Sequence, residues 1–173
     1  FAESPYAPMI KSPSDTLSGD VLHANSIRRF GSAASAFPFA DEDDFLISFR
    51  EKDMVAVIDF ESAKVKWATT GPWDGQHGAT PTDEGEIVLF DNNGELVDGV
   101  WKSRIIAYDP GSGRVRELLG DGAIDSEVYG AVHRLADGGW MVVDSQQGRA
   151  LALDDRNRET WRHALPRTSG ENG

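Results

Sequence analysis

Cysteine is absent from this chain of 173 residues, which excludes disulfide bonds and a thiol nucleophile. Basic residues are scarce: 17 Lys and Arg stand against 29 Asp and Glu, and the formal net charge is −12. Because nucleic-acid binding relies on clustered Lys and Arg, this balance argues against a nucleic-acid partner. The sequence also lacks an apolar run long enough to cross a bilayer, so we expect no membrane span. The absence of cysteine suits a periplasmic or secreted protein.

Helical periodicity is lacking as well, whereas short runs rich in aromatic and β-branched residues recur along the chain. Turn-forming sequences rich in Gly, Asp and Pro separate these runs, and residues 91–102 are predicted to form a long polar connection. The pattern therefore predicts an all-β fold. The predicted strands are Phe45–Phe49, Val55–Asp59, Val65–Ala68, Glu86–Phe90, Arg104–Tyr108, Val115–Leu118, Trp140–Val143, Ala150–Leu153 and Thr160–His163.

Three histidines, His23, His77 and His133, open successive units at a spacing of about 55 residues. The spacing and the three predicted strands in each unit are typical of a β-propeller. We therefore predict a single, partial, β-propeller-like domain of about three blades, with units at about 21–70, 75–120 and 127–163. Residues 1–20 are predicted to be irregular, with one candidate strand near Ala7–Lys11, and residues 167–173 to form a tail.

Several short motifs occur in a fixed order along these units. They combine histidine, arginine and strand-end polar residues, and together they resemble the arylsulfate sulfotransferase family over about residues 21–161. The motifs are His23-Ala24-Asn25-Ser26-Ile27, Ile47-Ser48-Phe49-Arg50, Lys64-Val65-Lys66-Trp67, Gln76-His77 followed by Leu89-Phe90-Asp91-Asn92, and Ser103-Arg104.

The resemblance implies an enzyme that moves a sulfuryl group from an aryl sulfate to a phenol without a nucleotide donor, cofactor or metal. It implies a six-bladed propeller with the active site in its central channel and a sulfohistidine intermediate. His77 would be the nucleophile, and His23 and Arg50 would hold the sulfuryl oxygens. The family also has an active-site histidine on an earlier blade, and this chain accounts for about three blades. Because three blades are half of the family's ring and nothing before residue 21 could supply that histidine, we expect a fragment, a ring completed by two chains, or a loss of activity.

The three proposed catalytic residues suit sulfuryl transfer on chemical grounds. Neutral imidazole can hold the group covalently, because its ordinary pKa of about 6.5 leaves it unprotonated at neutral pH. An arginine fork matches two oxygens of a sulfate as it matches a phosphate. A second histidine could donate to a sulfuryl oxygen or to the departing phenolate.

Further residues are predicted to bind substrate or to support the site. Trp73 and Trp101, in predicted loops, could stack on an aromatic substrate, and Asn25 and His133 could line the channel. We expect Asp91, Asn92 and Asn25 also to hold the loops that carry the histidines. An ion pair between Arg104 and Asp91 is expected to be structural.

Two other functions remain open from the sequence. A propeller of this lineage could serve as a non-catalytic module for binding or assembly, since fold does not fix function. Three histidines that converge could also bind zinc in a metal-dependent hydrolase, although no closely spaced pair supports this.

Overall fold

The computed structural model describes residues 3–10 and 22–165. The strands in these ranges form three four-stranded antiparallel sheets, each a simple meander in chain order, so the predicted all-β fold is confirmed. The first sheet contains β1 (Ala24–Arg29), β2 (Phe45–Phe49), β3 (Met54–Ile58) and β4 (Val65–Thr70). The second contains β5 (His77–Pro81), β6 (Ile87–Val97), β7 (Val100–Asp109) and β8 (Arg114–Ile124). The third contains β9 (Ala131–Arg134), β10 (Trp140–Asp144), β11 (Arg149–Leu153) and β12 (Glu159–Ala164).

Each sheet is a blade of a propeller-like arrangement. The first strands of the three sheets are neighbours in space, since β5 contacts both β1 and β9. Strands that begin successive meanders and lie side by side around a common centre are the defining feature of a propeller. The three units predicted from the histidine spacing thus correspond to three blades, with four strands in each rather than three.

The buried residues form clusters between the blades. In β6, Ile87 and Leu89 pack in the cluster shared with the first sheet, whereas Val88 and Phe90 pack in the cluster shared with the third. Successive side chains of a strand point to opposite faces, so a strand between two sheets must be apolar at every position. This explains the unbroken apolar run from Ile87 to Phe90, all of it buried.

Two sequence predictions of local structure are wrong. The candidate strand near Ala7–Lys11 contains a single helical turn, Ala7–Ile10, where Tyr6 and Met9 pack against the outer face of the first sheet. The predicted polar connection at 91–102 is the far half of a hairpin, because β6 and β7 continue to a two-residue turn. Asp98 and Gly99 both have positive φ there, 51° and 81°, as a primed hairpin turn requires.

Two short 3-10 helices complete the described structure, at Gly31–Ala36 and Arg50–Lys52. The first lies within residues 31–44, which pass over the seam between the first and second blades. Phe30, Phe37 and Trp73 join the same core cluster there. No helix in the described ranges has the length and hydrophobicity needed to span a membrane.

Candidate functional site

The three residues predicted to be catalytic lie where the first two blades meet. His77 is the first residue of β5, Arg50 directly follows β2, and His23 directly precedes β1. Strand β5 packs against both β1 and β2, which brings these strand ends together. The charges of Arg50 and His23 both act to lower the pKa of His77, as expected for neighbouring cations. The structure therefore places all three residues in one cluster.

The His77 ring is buried, with 7% of the residue exposed, and one edge is held firmly. Its Nδ1 lies 3.0 Å from the carbonyl oxygen of Gly75 and 2.8 Å from Oδ1 of Asn92. Within the described ranges, Nε2 has no hydrogen-bond partner from the protein. Burial is the largest cause of a lowered pKa for His77; the bonds to Asn92 and Gly75 oppose it, and Arg50 and His23 reinforce it. The ring is thus anchored at Nδ1 and favoured in its neutral form.

The Arg50 guanidinium passes beside the loop that carries His77. A methyl group placed on Gly75 would lie 3.5 Å from Nη2 of Arg50, and Nη1 of Arg50 contacts Oε1 of Glu51 at 2.5 Å. The Nε atom is buried and has no hydrogen-bond partner in the described structure. A buried, unpaired donor is costly unless something else binds it. Arg50 therefore retains donor capacity next to His77.

The second and third blades each contain a buried Asp–Arg pair at the same place. Nε of Arg104 donates to the Asp91 carboxylate at 2.9 Å, and Nε of Arg149 donates to the Asp144 carboxylate at 2.8 Å. Each carboxylate also accepts a backbone N–H from the loop before its blade, at Asp74 and Asp125 respectively. The predicted structural pair of Arg104 and Asp91 is confirmed.

In the first blade the two charges exchange places. Phe49 pairs with Ala24 on the first strand of its blade and with Met54 on the third strand. Phe90 pairs in the same way with His77 and Ile105, so Phe49 and Phe90 are equivalent positions. Arg50 and Asp91, which directly follow them, therefore correspond. Asp53 then corresponds to Arg104. Its Oδ1 accepts the N–H of Gly75 at 2.7 Å, and burial is the main cause that raises its pKa. Sequence reasoning missed Asp53, although the reversed order of charges relative to the other blades is visible in the sequence.

Asn25 and Gln76 connect the first blade to the loop before β5. Nδ2 of Asn25 donates to the carbonyl oxygen of Gln76 at 2.7 Å. The fully buried Gln76 amide donates to Ser48 Oγ at 3.1 Å and to the carbonyl oxygens of Phe49 and Met54 at 3.2 and 3.0 Å. These bonds fix the residue next to His77 against the strand that ends in Arg50. Gln76 therefore anchors the start of β5, and with it His77, to the first blade.

The remaining predicted substrate-binding residues lie apart from this cluster. Trp73 is buried, packs edge-to-face on Tyr108 at 5.1 Å, and donates from Nε1 to the carbonyl oxygen of Asp53 at 2.7 Å, so its ring packs in the core instead of facing a channel. Trp101 is 61% exposed near the tip of the β6–β7 hairpin. His133 is exposed on β9, on the face opposite the buried Val132, and so points away from the second blade.

Among the described residues, one group of side chains is close enough together to hold a metal ion, and it contains no histidine. Oxygens of Glu95, Glu117 and Asp121 lie within 4.8 Å of one another. Glu95 already accepts the backbone N–H groups of Asp121 and Gly122, at 3.2 and 3.0 Å. Burial, with the nearby charge of Glu95, raises the pKa of Glu117. The Glu95 carboxylate is therefore already partly occupied by hydrogen bonds from the backbone of β8, next to Glu117 and Asp121.

Comparison with known proteins places the chain in a wider context. The sequence model of a family described as Arylsulfotransferase (ASST) matches residues 3–165. No curated protein matches the sequence. Virginiamycin B lyase from Staphylococcus aureus is similar in structure, with a TM-score of 0.52, 14% identity, and coverage of 75% of this chain and 40% of that one.

A protein of unknown function from Bacteroides caccae is also similar, with a TM-score of 0.55, 10% identity, and coverage of 81% of this chain and 49% of that one. At these identities the likeness concerns the fold. The chain spans less than half the length of either structure.

Proposed function

Because this chain belongs to the arylsulfotransferase family, we propose that it transfers a sulfuryl group from an aryl sulfate to a phenolic acceptor through His77. The observation that supports this most directly is that a buried His77, favoured in its neutral form, lies near the Arg50 guanidinium. The other blades have no arginine at the position of Arg50.

In the first step the lone pair of the His77 ring attacks the sulfur of the donor. An N–S bond forms, the S–O bond to the aryl group breaks, and the phenolate leaves with the electron pair. The low pKa of His77 favours this step, because only the neutral ring has a lone pair to donate. Burial also removes water that would compete for the sulfuryl group.

Arg50 and His23 act on the charges that develop. The Arg50 guanidinium neutralises sulfuryl oxygens in a loose, anionic transition state, as basic groups do in phosphoryl transfer. His23 lies at the open side of the cluster, with 40% of its side chain exposed. It gives a proton to the departing phenolate, and it takes the proton of the acceptor phenol when that oxygen attacks sulfur and regenerates His77.

The three blades supply one wall of the proposed channel. We propose that further blades, from this protein or from a second copy, supply the opposite wall, and that the protein works in the periplasm or outside the cell. Asn25 contributes by holding the Gln76-His77 loop in place. His133 and Trp101 lie apart from the cluster, so the proposed transfer assigns them no contact with the reacting groups.

Intact-mass analysis after incubation with a chromogenic aryl sulfate tests the proposal. We expect a mass gain of one sulfuryl group that is absent in His77→Ala. Arg50→Ala should retain the adduct but form it more slowly by roughly two to three orders of magnitude, as when one oxyanion partner is removed. Arg29→Ala, which removes an exposed ion pair with Asp43, is the matched control. A gain that persists in His77→Ala would place the group elsewhere, and no gain from protein that has been shown to form a complete ring would favour a binding module.

A further inference from the structure

Asn92 connects the His77 ring to the loop before the third blade. Its Nδ2 donates to the carbonyl oxygens of Ser126 and Tyr129 at 2.5 and 3.0 Å, while its Oδ1 faces Nδ1 of His77 at 2.8 Å. The residue is 1% exposed. A flipped amide would set its oxygen against two carbonyl oxygens, which can only accept hydrogen bonds. The two carbonyls therefore determine which end of the Asn92 amide meets the ring.

This orientation dictates where the His77 ring carries its proton. Both neighbours of Nδ1, the Asn92 amide oxygen and the Gly75 carbonyl oxygen, are acceptors. A neutral imidazole has one N–H, and the nitrogen that faces acceptors must carry it. The lone pair is then on Nε2, the nitrogen without a hydrogen bond from the described protein residues.

We propose that Asn92 is a positioning residue that holds His77 as the Nδ1–H tautomer and so directs the sulfuryl group to Nε2. The assignment of the tautomer is independent of activity, whereas the direction of sulfuryl transfer rests on the proposed function. When Nε2 bonds to sulfur, Nδ1 keeps its proton and the ring stays cationic until the N–S bond breaks and the sulfuryl group passes to the acceptor oxygen. Asn92 and Gly75 accept from Nδ1 throughout and stabilise that charge.

An amide suits this role better than a carboxylate. Either group can orient the ring, but a carboxylate would favour the imidazolium, which has no lone pair. The cations that face His77, Arg50 and His23, act in the opposite direction. The amide therefore orients the nucleophile without charging it.

Nitrogen NMR of protein labelled with ¹⁵N-histidine tests the tautomer without any substrate. The His77 signals are identified by their loss in His77→Ala, which distinguishes them from those of the other histidines. At a pH where the ring is neutral, we expect wild-type His77 to be protonated at Nδ1. Protonation at Nε2 in the wild-type protein would overturn the proposal, whatever the variants do.

Two substitutions separate orientation of the ring from attachment of the loop. Asn92→Asp and Asn92→Leu both remove the donor to Ser126 and Tyr129, but only Asn92→Asp keeps an acceptor for Nδ1. We expect Asn92→Asp to retain the Nδ1–H tautomer and Asn92→Leu to shift a measurable fraction of His77 to Nε2–H. Identical spectra for the two variants would show that Asn92 serves the loop alone and would overturn the proposal.

The site of sulfation gives a second readout in the active protein. We expect a sulfohistidine adduct on Nε2 in the wild type, and Asn92→Leu to lower its rate of formation by about tenfold or more, with Asn92→Asp partly restored at higher pH. An Nδ1 adduct would overturn the directing role. Absence of any adduct would count against the proposed function and leave the NMR result on the tautomer standing.

Discussion

Arg50 occupies in the first blade the position that Asp91 occupies in the second. Asp91 is fully buried, paired with Arg104, and bonded to the loop that precedes its own blade, so it serves the structure. Asp53, on the opposite side of the turn from Arg50, bonds to Gly75 in the following loop. The exchange therefore keeps a carboxylate for attachment of a loop and turns a guanidinium toward the site.

The pH dependence of sulfation should report the environment of His77. Its pKa lies below the ordinary value of 6.5, first because of burial and further because of Arg50 and His23. Only the neutral His77 ring reacts, so the fall in the rate of adduct formation on the acid side should lie below pH 6.5. In Arg50→Ala the cation that lowers the pKa is gone, and the fall should move to higher pH. A wild-type inflection at or above 6.5 would contradict the assignment, as would one that Arg50→Ala leaves in place.

The buried pair in the second blade should matter far more to stability than an exposed pair. In Arg104→Met the fully buried Asp91 loses its cation, and we expect the free energy of unfolding to fall by about 3–5 kcal/mol. Arg29→Met removes the cation from Asp43 in an ion pair whose side chains are both more than half exposed, and should cost less than about 1 kcal/mol. Urea denaturation of the two variants measures the difference. Equal losses would mean that Asp91 finds another partner.

Local sequence patterns were sufficient for the second, third and fourth strands of each blade and for the choice of His23, Arg50 and His77, which the structure brings into one cluster, but not for the first strands or for Asp53. Alternating and continuous apolar runs located the strands, and the histidine spacing located the repeat. The hairpin at residues 91–102 was missed because its polar strands lie beyond the core, where periodicity is weak; its turn signal, Asp98-Gly99, was nonetheless present. Trp73 was misjudged because burial of a loop residue depends on the neighbouring blade, which packs Tyr108 against it.

The contacts within the site could not be read from the sequence. Asn92 was expected to hold a loop, and it does bond to the carbonyl oxygens of Ser126 and Tyr129. Its bond to His77 depends on the register of β5 and β6, in which His77 pairs with Phe90. A shift of one residue would turn the neighbouring side chains to the other face of the sheet. Such a bond is therefore a property of the assembled sheet.

Gly78 should be sensitive to substitution because the second and third blades approach closely there. Its φ is +67°, and an added Cβ would lie 3.1 Å from the backbone nitrogen of Val132. Gly99 has a φ of +81° but open space around it, so Gly99→Ala isolates the backbone strain, about 1–2 kcal/mol. We expect Gly78→Ala to cost at least about 1 kcal/mol more, since it also crowds the neighbouring blade. Thermal or urea unfolding of both variants measures this, and equal costs would show that the blades can move apart.

The outer faces of the first and third blades differ in how they are covered. On the first blade, Tyr6, Met9 and Leu22 pack over the cluster that contains Met54 and Ala56. On the third blade the corresponding face includes Val143 and Trp161, which are 38% and 48% exposed. Exposed apolar area of this kind favours association. If copies of this chain associate, the contact should therefore involve the third blade.

Val143→Glu tests this contact by adding a charge to the uncovered face. We expect wild-type protein to form dimers or larger species as its concentration rises, at a salt concentration that screens the net charge of −12. Val143→Glu should shift the population to monomer, because burying an unpaired carboxylate is costly. Val100→Glu, at a residue of the hairpin in the second blade that is 54% exposed, is the matched control and should behave as the wild type. Sedimentation velocity across a wide concentration range distinguishes these cases. A wild-type protein that stays monomeric throughout, or a Val100→Glu variant that dissociates as readily as Val143→Glu, would refute the assignment of the contact to the third blade.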